Sequence, residues 1–191
     1  FKKVQETIYA NPFSQRRVVE ENSILGITSK VDLDKLNEIV ATVNKKIESL
    51  KNTGQIKLNS YVEDDRKLIR AGILFSVFHK HASSLDEHIH LQLNNYQKNI
   101  PFNDGIEIIA DLIDIGFTKP DATRHVALFF QMRRCFSLVQ HEIVGVSASV
   151  KKLKEDIWSN VFTHRMGWFL SYLWDEMEDF STLVLGPTGV G

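Results

Sequence analysis

One cysteine and four prolines occur in 191 residues, and three of the ten glycines fall in the last six positions. A lone cysteine, Cys135, excludes an internal disulfide, and a reducing cytoplasm is the expected compartment. It sits in the apolar-rich run FFQMRRCFSLV and reads as a small packing residue. Net charge is lacking too. With 23 Lys and Arg against 24 Asp and Glu the formal charge is -1. That balance gives no bulk electrostatic case for binding nucleic acid or an anionic membrane. Long apolar runs are absent: AGILFSVF (71–78) is far too short to span a bilayer. The opening stretch FKKVQETIYA has neither the apolar core nor the small-residue cleavage site of a signal peptide. A zinc spacing of cysteines and the alternating strands of a receiver domain are missing as well. Scarce proline and glycine suit long regular elements, and what remains is an ordinary soluble composition, 43% hydrophobic and 25% charged.

Those elements read as helices. In VDLDKLNEIVATVNKKIESLKNTG, residues Leu33, Leu36, Ile39, Val40, Val43, Ile47 and Leu50 recur at three- and four-residue steps on one face. Asp32 is placed to cap that helix, and Asn52 and Gly54 to stop it. A long helical pattern follows from Tyr61 to Asn95, with Glu63, Asp64 and Asp65 near its start, where the dipole favours acids. Asn103 to Ile115 makes a shorter helix closed by Gly116. Thr118-Lys-Pro-Asp121 resembles a capping box with proline in the first turn, opening a helix to about Gln140. HEIVGVSAS (141–149) interrupts the helical run and marks the expected domain boundary, giving domains 1–140 and 141–191. Two more helices are expected, Ser147 to Trp158 and about Thr163 to Asp179. The latter has a stripe at Met166, Phe169, Leu170, Leu173, Trp174 and Met177. Only Ser181 to Leu185 reads as a buried strand. The fold class is therefore all-α, followed by the first strand of an α/β unit.

Chemistry concentrates in two places. HKHASSLDEHIH carries four of the seven histidines, His79, His81, His88 and His90, beside Asp86 and Glu87. On a continuous helix, residues seven apart rise about 10 Å and residues two apart point about 200° apart, so the four do not converge on one ion. Asp86 with His90 is the one well-spaced pair, and a zinc site needs about three or four ligands. A break at Ser83-Ser84 would fold the two H-x-H pairs together. The simpler expectation is a solvated or partner-facing helix surface. Lys151, Lys152 and Lys154, interleaved with Glu155 and Asp156, read the same way. Arg133 and Arg134 read as the border of a packing face, and Trp158, Trp168 and Trp174 as core or interdomain packing. The second place is Gly186-Pro187-Thr188-Gly189-Val190-Gly191, which fits G-x-x-x-x-G directly after the strand. Glycines let the backbone wrap a phosphate closely with its amides turned inward. The lysine that would follow is not present.

Three pieces in order resemble the sigma-54-dependent transcription activators, the bacterial enhancer-binding proteins of the AAA+ class. Ile143-Val144-Gly145-Val146-Ser147 is similar to the family's opening motif, SVKKLKEDIW (149–158) to the helix after it, and TLVLGPTGVG (182–191) to its first strand and Walker A loop. The intervening Asn160 to Phe180, with FTHRM (162–166) and the earlier FFQMRR (129–134), is similar to a subgroup of such activators. The resemblance covers about the last third of the chain. It implies that Gly186 to Gly191 cradle the β-phosphate of ATP with Mg, that Ile143, Val144 and Gly145 lie near the adenine, and that residues 1–140 form a signal-receiving domain gating the ATPase. It implies as partners the sigma-54 RNA polymerase, promoter DNA and the protein's own AAA+ module, which assembles as a homo-oligomer. The catalytic lysine, Walker B acids, polymerase-contacting loop, arginine finger and helix-turn-helix would lie beyond Gly191, so this stretch alone is expected not to hydrolyse ATP. A stand-alone helical interaction or metal-sensing domain, and a fragment of another P-loop ATPase, are the alternatives.

Overall fold

Helices α1 (Lys2–Thr7), α2 (Leu33–Asn52), α3 (Glu63–Lys80), α4 (Ala82–Asn94), α5 (Asn103–Ile115), α6 (Lys119–Glu142) and α7 (Ala148–Val161) follow one another along the chain. A last helix, α8 (Met166–Trp168), runs on as a π-helical stretch, Phe169–Leu173. The computed structural model describes residues 1–15, 17, 33–95, 97–98, 100–162 and 166–176, and no strand occurs among them. The all-α expectation holds for these residues. The expected strand 181–185, the glycine loop 186–191 and the cap Asp32 lie outside the described residues.

Local sequence accounts for most helix ends. Val62 starts α3, with Glu63, Asp64 and Asp65 in its first turn. α5 ends on Gly116 at φ 112°, a conformation that favours glycine. There the Gly116 and Phe117 amides donate to the Ile113 and Leu112 carbonyls, and Phe117 is buried just beyond. Thr118 caps α6 by accepting from the Asp121 amide. The capping box is only half formed, because the Asp121 carboxylate turns away to Arg70.

One expected helix is divided. The pattern from Tyr61 to Asn95 bends at His81 (φ −102°, ψ 10°), and Ser83-Ser84 lie within the first turn of α4. The bend is fixed from outside. Ser84 donates to Asp104 on α5, and Arg133 of α6 grips Asp86 through Nε at 2.8 Å and through Nη2. Both contacts draw α4 across α5 and α6.

Two apolar cores share α6. The first gathers Val4 of α1, Ile39, Val43 and Ile47 of α2, Ile73 of α3, and Ile108 and Leu112 of α5 around Phe129. The second gathers Leu128, Met132, Cys135 and Val139 of α6 against Trp158, Phe162, Met166 and Phe169. Leu128 and Phe129 are neighbours about 100° apart around the helix, so consecutive residues serve different cores. Tyr9 and Phe78 pack against both. The segment after α1 crosses to the second core, where Phe13 stacks on Phe136 with ring centroids 5.4 Å apart. There Asn11 Nδ2 donates to the Glu155 carbonyl at 2.8 Å and to Ser159 Oγ at 3.0 Å.

The surface expectation for Lys154 and the core expectation for Trp168 need correction. Lys154 is buried, and its ammonium donates to the Gln140 carbonyl and Oε1 at the end of α6, where a cation meets the negative pole of that helix. Of the tryptophans, Trp158 is buried, Trp174 is half-buried, and Trp168 is 61% exposed. Trp168 is therefore not a core residue.

Candidate functional site

The histidines of HKHASSLDEHIH are dispersed by the bend. His79 packs on Phe75 and Phe78, with ring centroids 4.4 and 5.3 Å away. Desolvation there pushes it down to about 3, and Arg17 and Arg133 act in the same direction. His88 is buried between Phe102 and Phe130, and burial lowers it as well. His81 stands at the bend with its Nε2 buried and without a partner among the described residues. His90 is exposed. Asp86, which the spacing pairs with His90, has its carboxylate bound by Arg133. Among the described residues no group of three His, Cys, Asp or Glu side chains is placed to hold a metal ion. The expectation of a solvated histidine face fails for His79 and His88. The apolar spacing of Phe75 and Phe78, which share the His79 stretch of α3, is the signal that points to packing.

Ile143-Val144-Gly145-Val146-Ser147 links α6 to α7. Ile143 packs on the second core, while Val144 and Val146 are 86% and 87% exposed. Gly145 takes φ 139°, and a Cβ there would lie 3.0 Å from Val150 Cγ2. Ser147 caps α7, its Oγ accepting from the Val150 amide at 3.3 Å. The glycine and serine of this motif thus have local structural roles, and its valines are left uncovered.

A cleft of about 350 Å³ that no spacing in the sequence announces opens between α1, α3, α6 and α8. Ile8, Ala71, Leu74 and Leu170 give it an apolar lining, and Lys67, Arg70, Asp121 and Arg124 supply its charges. Arg70 holds Asp121 with two contacts of 2.6 Å, Nη1 to Oδ2 and Nη2 to Oδ1, while its guanidinium lies 4.5 Å from the Phe117 ring centroid. Burial pushes the Asp121 carboxyl up, but the hydrogen bonds and charge of Arg70 outweigh it and hold the group below the usual range. His125 is buried beneath the pair. Its Nδ1 donates to the Asp121 carbonyl at 2.8 Å, which leaves Nε2 to accept from Arg70 at 3.5 Å. Burial keeps His125 below the usual histidine range, so it is neutral near pH 7. Burial also lifts the Tyr9 phenol to about 12, which keeps it protonated and able to donate. The one carboxylate in the lining is thus committed to Arg70, and the buried histidine is neutral. No family model, curated protein or solved structure matches the chain.

Proposed function

We propose that the chain is the N-terminal regulatory region of a sigma-54-dependent activator, in which α1 to α6 receive a signal and α7 and α8 lead into an ATP-driven AAA+ module. The observation that carries the reading is the ordered set IVGVS, SVKKLKEDIW and TLVLGPTGVG. The geometry of the first two pieces supports it. A left-handed glycine and a capping serine launch a separate helix of 14 residues, and Val144 remains uncovered, as a residue meant to lie against a flat base should be. ATP with Mg would be held at Gly186 to Gly191, with Ile143, Val144 and Gly145 at the adenine. The region would work in the cytoplasm, in a homo-oligomer whose further parts contact the sigma-54 polymerase and promoter DNA.

Calorimetry with ATP and Mg tests this. The present chain, without the P-loop lysine, is expected to bind negligibly. The reading frame carried on past Gly191 is expected to supply Lys and an acidic residue next, and the longer protein to bind and hydrolyse ATP. Tight binding by the present chain, or a stop codon directly after Gly191, would contradict the reading.

A further inference from the structure

We propose that the cleft between α1, α3, α6 and α8 is a binding site for a small organic monoanion, a carboxylate on an apolar body. Its volume of about 350 Å³ lies at the lower end of the range for small-molecule sites, roughly 300 to 1,000 Å³. Its charged lining is three cations, Lys67, Arg70 and Arg124, against one carboxylate, Asp121. Two of those cations are already engaged: Arg70 by Asp121, and Lys67 by Glu63 at 2.8 Å. Among the described residues Arg124 is the lining cation without a hydrogen bond or ion pair. It is exposed, its guanidinium carbon lies 6.0 Å from the Trp174 ring centroid, and its charge also acts on Asp121.

A guanidinium in that position suits a carboxylate held through two parallel hydrogen bonds. The apolar lining suits the rest of the molecule. Asp121 sets the ligand's charge at one, because a second negative group would meet its carboxylate inside the same cleft. The protonated Tyr9 phenol and the Ser171 hydroxyl add donors at the walls. Gly167 forms part of the lip, and a Cβ built on it meets nothing within 4 Å, so the wall is open there. A bound ligand would touch α1, α3 and α6 on one side and α8 on the other. It would thus tie the last described helix to the rest of the fold. That consequence for gating rests on the sigma-54 reading; the binding does not.

The test uses the purified chain with 3-phenylpropionate and octanoate, each compared with its neutral amide, followed by calorimetry and tryptophan fluorescence. Saturable binding of the acids and not the amides is expected. Arg124→Gln should weaken it roughly tenfold, the loss of one charge-assisted hydrogen-bond group. Gly167→Phe, which sets a ring at the lip, should weaken it. Both positions are exposed, so helix content and melting midpoint should match the parent. Equal binding of acid and amide, undiminished binding by either variant, or no saturable binding at millimolar acid would overturn the proposal. None of these outcomes depends on ATP, so this proposal and the AAA+ reading fail separately.

Discussion

At the scale of residues, the histidines carry the clearest consequence. His79 is held neutral among Phe75 and Phe78, at about 3 against an ordinary 6.5. A histidine whose folded value is depressed stabilises the fold above its unfolded value, and that stability is lost as pH falls toward the folded one. Burial depresses His88 and His125 in the same direction. The melting midpoint should therefore fall as pH drops from about 6.5 toward about 3. His79→Phe, which keeps an aromatic ring and removes the titration, should flatten that fall when melts are followed by circular dichroism. Identical pH profiles for parent and variant would argue against the assignment. For His79 the neighbouring Phe75 and Phe78 carry a packing signal in the sequence, but for His88 nothing in its own stretch separates a packed face from a solvated one. That distinction depends on Phe102 and Phe130, which approach His88 from beyond its own helix. Lys154 was illegible for the same reason, since its partner is the end of α6.

At the scale of elements, helix ends written in glycine, serine, threonine and proline were readable in advance: Gly116 closes α5, Thr118 opens α6 and Ser147 opens α7. The bend at His81 was not, because neither glycine nor proline marks it and the helical periodicity continues through it. Contacts from α5 and α6 make it instead. The link Ile143 to Ser147 gives a sharp prediction. Gly145→Ala forces a side chain into φ 139° and brings its Cβ to 3.0 Å from Val150 Cγ2. The expected cost is about 1–3 kcal/mol, read as a lower denaturant midpoint in urea. An unchanged midpoint would show that the link relaxes freely, and would remove the structural reason for glycine in IVGVS.

At the scale of the whole molecule, two cores are joined through α6, Tyr9 and Phe78, and the cleft lies where the elements of both come together. Its groups come from Tyr9, Arg70, Arg124 and Leu170, which lie far apart in the chain. No window of sequence contains them, so only the fold could reveal the site. The resemblance works the other way: IVGVS, its helix and TLVLGPTGVG are legible in sequence, while the glycine loop lies outside the described residues. The central claim is that this helical region governs a sigma-54 activator. Its most direct test is a sigma-54-dependent promoter fused to a reporter, in cells expressing the complete reading frame. The frame with residues 1–142 removed should change the output, and no output should remain in cells lacking sigma-54. Equal reporter activity with and without the complete frame, or with and without residues 1–142, would contradict the account.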